Sequence, residues 1–238
     1  MSPNAPAQPF QAVLFDMDGV LVDSEHRWND VRRAFANTHG RVWTDDDQRA
    51  VMGGNTRQWS RIMQERLDLR HLSAEQICNA VVDAVVAAFR AGTVEVVPGA
   101  AETVRRLAAQ VPVAIASSAH PAVIEAAVDA LGLHGVFGAI ASSDEVSHGK
   151  PEPDVYLLAA SRLGVDAGRC LVVEDSTNGV LSGRAAGAFV VLVPNAAVPP
   201  ERGTDDLADA MLQRIADIDL AVLAAMDNRS ASPSVRPG

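Results

Sequence analysis

Apolar residues gather in five short, nearly unbroken runs: AVLF at 12–15, VPVAIASS at 111–118, FGAIASSD at 137–144, RCLVVEDS at 169–176 and FVVLVP at 189–194. An unbroken pattern, rather than an alternating one, predicts strands buried on both faces of a parallel sheet. Helical segments lie between the runs. GAAETVRRLAAQ (99–110) follows Pro98, and HPAVIEAAVDALGL (120–133) has proline near its start. PEPDVYLLAASRLG (151–164) opens on prolines and closes on glycine, and STNGVLSGRAAGA (176–188) opens on capping residues. Strand and helix alternate, which predicts an α/β fold with a doubly wound, Rossmann-like parallel sheet.

One interval breaks the alternation. From Ser24 to Val97 there is no convincing strand pattern, and helical patterns recur instead in EHRWNDVRRAFANTHG, NTRQWSRIMQERL and SAEQICNAVVDAVVAAFRAG. The expected division is a core formed by 1–23 and 98–226 with an α-helical insertion at 24–97. Residues 1–9 and 227–238 read as flexible tails.

Composition narrows the function. The chain has 238 residues and an apolar fraction of 48%, enough for a large core plus an insertion. Its net charge of −10 predicts no nucleic-acid or membrane partner, and an anionic substrate would need a metal or a locally positive site. Cys78 and Cys170 lie far apart and read as free thiols in a reducing compartment. The start, MSPNAPAQPF, has no signal-peptide pattern, and no apolar run reaches membrane-spanning length. A cytoplasmic monomer or weak dimer is expected.

In open parallel sheets, ligands bind beyond the carboxyl ends of the strands. There the chain places Asp16 and Asp18 after the first run, Ser117 and Ser118 at the second, Lys150 after the third, and Glu174 and Asp175 at the fourth. Four carboxylates on one edge repel and ask for a divalent cation. Oxygen ligands select Mg²⁺, which keeps waters and bridges to phosphate. A calcium loop of EF-hand type fails at Val20. Helix capping accounts for Ser176 or Thr177 but not for Asp16, whose neighbours start no helix.

The segments DMDGVLVDSE, ASS, GKPEPD and VVEDSTNG resemble, in order and spacing, the four motifs of the haloacid dehalogenase-like hydrolase superfamily. The likeness spans residues 11–215, and the insertion resembles that superfamily's small α-helical cap. Within it the chain most resembles the branch of β-phosphoglucomutases and sugar-phosphate phosphatases. The resemblance implies a Mg²⁺-dependent phosphatase acting on a small phosphorylated metabolite, with Asp16 as nucleophile and Asp18 as acid/base. It implies Ser117 and Lys150 on the phosphoryl group, and Asp16, Asp175 and the Asp18 carbonyl on the metal, with Glu174 holding a metal-bound water. Crowding by Asp16 favours protonated Asp18, while Mg²⁺ and Lys150 oppose it.

In the cap, Gly54 within MGGNTRQWS allows close approach to substrate, and Arg57 either binds a second polar or anionic group or starts a helix in solvent. Ser118 and His120 are candidates for the pocket mouth, and His148 lies beside Lys150. Of Trp28, Trp43 and Trp59, at least two are expected to pack the cap's own core. Trp28 falls where the mutases this chain resembles place a histidine that helps control the acid/base, with His26 nearby. Three rivals remain. One is a mutase. The second is a dehalogenase, whose relatives lack an equivalent of Asp18. The third is a phospho-signalling receiver, a module about half this length.

Overall fold

The structure, a computed structural model, describes residues 10–227. The expected tails, 1–9 and all but the first residue of 227–238, lie outside the described residues. The strands are β1 (Ala12–Phe15), β2 (Val22–Asp23), β3 (Glu95–Val96), β4 (Val113–Ser117), β5 (Ala139–Ser142), β6 (Cys170–Glu174), β7 (Phe189–Leu192) and β8 (Ala210–Met211). The helices are α1 (Glu25–Thr38), α2 (Asp45–Val51), α3 (Thr56–Arg66), α4 (Ala74–Arg90), α5 (Ala100–Ala108), α6 (Pro121–Ala130), α7 (Asp154–Leu163), α8 (Thr177–Ala185), α9 (Thr204–Leu207) and α10 (Leu220–Met226).

Six strands form one parallel sheet in the order β5-β4-β1-β6-β7-β8. Successive residues of β1 face opposite sides. Val13 and Phe15 join Ile115, Leu171 and Val173 beneath α5, α6 and the insertion. Ala12 and Leu14 join Ala114, Ala116 and Val172 beneath α7 and α8. Burying an aliphatic side chain contributes roughly 1.5–3 kcal/mol, so each unbroken run is stable only with both faces covered. Phe15 pairs with Ile115 and with Val173, which brings the carboxyl ends of β1, β4 and β6 level at one edge.

The insertion holds one more helix than its apolar pattern announced. α2 is short and polar, DDDQRAV, with no apolar stripe to betray it. Its start is set by a capping box between Thr44 and Asp47, and three aspartates favour its positive end. α4 carries the stripe Ile77, Val81, Val82, Val85, Val86 and Phe89, and packs on α1, α3 and α6. The interval also holds a strand that its pattern did not show. β3 pairs antiparallel with β2, Val22 opposite Val96 and Asp23 opposite Glu95, where the chain leaves and re-enters the core. Strands of two residues have no periodicity to read. A contact from insertion to core comes at α3, where Thr56 donates its N–H and its hydroxyl to Asp144 Oδ1 at 3.1 and 2.7 Å.

At the β5 edge of the sheet, Arg162 donates from Nη1 to the carbonyl of Ile140. The same guanidinium donates to both carboxylate oxygens of Glu145, at 3.0 and 2.6 Å.

Candidate active site

The chain leaves β1 through Asp16, Met17 and Asp18 and turns at Gly19. Gly19 has φ +86°, and a Cβ there would stand 1.9 Å from Asp175 Oδ2. Only glycine lets this turn lie against the end of β6. Gly19→Ala is therefore expected to cost roughly 1–2 kcal/mol from the left-handed backbone alone. It should also displace Asp175, so a lower melting temperature should come with a lower turnover. A variant with wild-type melting and turnover would show that the turn relaxes freely.

Lys150 reaches in from the loop before α7. Its Nζ donates to Asp16 Oδ1 and to Glu174 Oε1, both at 2.6 Å, and the side chain is buried. Burial alone would lower the lysine's pKa, but Asp16 and Glu174 outweigh it and hold the ammonium above its ordinary range. Glu174 is saturated. Oε1 also accepts from the Tyr156 hydroxyl at 2.7 Å, and Oε2 accepts from the Asp175 and Ser176 N–H groups and the Ser176 hydroxyl. Burial opposes its ionisation, yet Lys150 and these donors keep its pKa low. The backbone of Gly179 closes over Glu174 so tightly that a Cβ would lie 1.8 Å from it.

Asp16 and Asp175 are less compensated. Burial first, then Glu174 and Asp18, push Asp16 up to about 7 against the pull of Lys150. Burial, Glu174 and Asp16 together raise Asp175 well above the carboxylate range. Asp18 is raised too, chiefly by burial, although the Ser24 hydroxyl and the Trp28 indole N–H both donate to its Oδ1, the latter at 3.4 Å.

Asp16, Asp18, Lys150 and Asp175 open into one cavity of about 150 Å³ between the sheet edge and the insertion. Ser118 and Gly54 line it as well. Ser117 does not. It is fully buried, and its Oγ accepts from the Ala119 N–H at 3.0 Å. Glu174 lies behind the wall, holding Lys150. Arg57 is exposed on the first turn of α3 and does not line the cavity. His120 caps α6 by accepting from the Ala122 N–H, and His148 is exposed beside Asp154. All three tryptophans are buried in the core; Trp28 and Trp59 also face the cavity, whereas Trp43 does not.

The cavity also has walls that were not anticipated: Glu25, Arg32, Asn178 and Asn195. Arg32 left a trace in the sequence. The buried face of α1 runs Trp28, Arg32, Ala36, at helical spacing, so an arginine interrupts an otherwise apolar stripe.

Carboxylate oxygens of Asp16, Glu174 and Asp175 lie within 4.8 Å of one another. This hard-oxygen set fits a divalent cation of the magnesium class, and Lys150 is the one cation set against these three buried carboxylates among the described residues. Since Glu174 already takes donors on both oxygens, Asp16 and Asp175 have the lone pairs to spare.

Comparison with known proteins places this geometry. The model of the haloacid dehalogenase-like hydrolase family matches residues 10–187. The phosphorylated carbohydrates phosphatase of Thermotoga maritima is 32% identical over 178 residues, covering 74% of this chain and 82% of that one. The bifunctional riboflavin kinase/FMN phosphatase of Arabidopsis thaliana is 33% identical over 216 residues, 87% of this chain; the match spans about half (54%) of that longer relative. Among solved structures, CbbY from Rhodobacter sphaeroides in complex with phosphate superposes with a TM-score of 0.76 at 26% identity, covering 87% of this chain and 96% of its own. Four motifs on one sheet edge, a helical insertion above them and a family match over most of the chain agree: the protein is an enzyme of the haloacid dehalogenase-like hydrolase family, within its phosphatases.

Proposed function

We propose that the protein hydrolyses a small sugar or polyol phosphate through an aspartyl-phosphate on Asp16, using a divalent cation, with residues 24–97 as a cap over a core of 1–23 and 98–226. The observation that carries this reading is that Asp16, Asp18, Lys150 and Asp175 share one small cavity beneath the insertion. The phosphorylated-carbohydrate phosphatase among the relatives supports the substrate class.

Asp16 attacks phosphorus and the bond to the leaving oxygen breaks. Asp18, whose burial favours its protonated form, gives its proton to that oxygen. The same carboxylate then takes a proton from water as the water attacks the phosphoenzyme, releasing inorganic phosphate and regenerating Asp16. Lys150, fixed by Glu174, sits against Asp16 to balance the charge that builds on the phosphoryl oxygens. Ser118 offers a hydroxyl at the same wall. Asp16 and Asp175 would hold the cation, whose charge would offset the acids and the phosphoryl group. The cap excludes bulk water from the first step.

Trp28 favours hydrolysis over phosphoryl return to the sugar. Its indole N–H can donate to Asp18 but cannot exchange a proton with it, and His26 is exposed outside the cavity. The test is phosphate release from phosphorylated sugars, polyols and small acids, with EDTA and with Mg²⁺ restored. Activity should vanish in EDTA, return with Mg²⁺ and return poorly with Ca²⁺, whose looser coordination misplaces the nucleophile. Full activity after exhaustive chelation contradicts the cation. Glucose 6-phosphate forming from β-glucose 1-phosphate faster than free phosphate would replace the phosphatase with a mutase.

A further inference from the structure

Arg32 is a cation that the proposed chemistry does not use. It is only 5% exposed, yet it lines the cavity. Its guanidinium carbon lies 4.9 Å from the Trp28 ring centre and 5.4 Å from that of Trp59. Among the described residues its guanidinium makes one hydrogen bond, from Nη1 to Gln48 Oε1 at 3.4 Å, and Nε has no partner. Among the described residues it forms no ion pair. Burial lowers its pKa to about 10 against the influence of Glu25 and Asp18, so it stays charged at neutral pH. A buried charge with so few partners is costly unless something else completes its shell.

Glu25 lines the same wall. Gln48 donates from Nε2 to Glu25 Oε1 at 2.7 Å, while its Oε1 accepts from Trp43 Nε1 at 3.0 Å and from Arg32. Gln48 thus fixes the carboxylate and the guanidinium beside each other without joining them. The wall sums to zero charge and offers donors next to an acceptor. A hydroxyl fits such a pair, because it can accept from Arg32 and donate to Glu25 at once. A second anion would gain Arg32 but meet the carboxylate of Glu25 beside it.

We infer that Arg32 and Glu25 form a specificity-determining subsite that takes the hydroxyls of an otherwise uncharged sugar or polyol leaving group. This rests on the phosphatase reading and names what lies at the far end of its substrate.

The test compares kcat/KM for a polyol phosphate with that for p-nitrophenyl phosphate, whose leaving group offers no aliphatic hydroxyl. Arg32→Met should lower the polyol-to-nitrophenyl ratio by about 10–100-fold, the scale of a lost hydrogen bond to a charged group, mostly through KM. Arg32→Lys, which keeps charge but loses the planar fork, should lower it less. Glu25→Gln should lower the same ratio and raise the relative kcat/KM of phosphoglycolate, because the wall then carries net positive charge. Unchanged ratios in Arg32→Lys and Glu25→Gln, or a wild type that prefers phosphoglycolate or a bisphosphate to uncharged polyol phosphates, would overturn the subsite while leaving the phosphatase standing. Failure of the wild type to hydrolyse any ester would overturn both.

Discussion

Asp16→Asn is expected to abolish turnover. The amide keeps the shape of the side chain and can still accept from Lys150 Nζ, which stands 2.6 Å from Oδ1. What it loses is the anionic oxygen that attacks phosphorus and one of the two carboxylates free to hold a cation. Removing a covalent nucleophile costs on the order of 10⁴–10⁶-fold in kcat. The fold should not suffer. Burial first, with Glu174 and Asp18, outweighs Lys150 in disfavouring an ionised Asp16, so an uncharged group is tolerated there. In chelator at neutral pH the variant should melt at or above the wild-type temperature. A folded variant retaining a few per cent of wild-type phosphate release would remove Asp16 from the nucleophile's role.

Asp18→Asn should lose about 10²–10⁴-fold, the usual contribution of a positioned acid/base. The backbone is unchanged and the amide oxygen can still accept from Ser24 and Trp28, so the loss isolates proton transfer. The two half-reactions should separate. With a good leaving group, attack by Asp16 needs little protonation, whereas release of phosphate still needs an activated water. Rapid mixing with p-nitrophenyl phosphate should show a burst of nitrophenol close to one equivalent, with label trapped on the protein. Wild-type rates without a burst would assign the acid/base elsewhere.

The sheet and the acidic edge were legible because the signals were local. An unbroken apolar run names a buried strand, and the residue after it must lie at the strand's end, so Asp16, Glu174 and Asp175 could be placed without a structure. Choosing between neighbours was harder. Ser117 and Ser118 stand side by side at the end of β4, and only the turn decides that Ser117 bonds to Ala119 while Ser118 lines the cavity. Arg57 looked attractive beside two glycines, but the cap turns it to solvent. Arg32 was hidden among the arginines at 27, 32 and 33, which look alike until one asks which of them shares a face with Trp28 and Ala36. Contacts between helices far apart in sequence, such as Gln48 of α2 with Glu25 and Arg32 of α1, carry no local signature at all.

The guanidinium of Arg162 has a consequence for the protein at high concentration. A flat edge strand offers unpaired backbone groups on which another chain can build. Here β5 is four residues long, and one of its carbonyls, that of Ile140, is occupied by a side chain that Glu145 pins in place. The opposite edge, β8, is two residues long. Both margins of the sheet are thereby poor templates for strand addition, which favours solubility during expression and storage. Arg162→Ala would expose the Ile140 carbonyl and turn a protected margin into a place where copies can associate edge to edge.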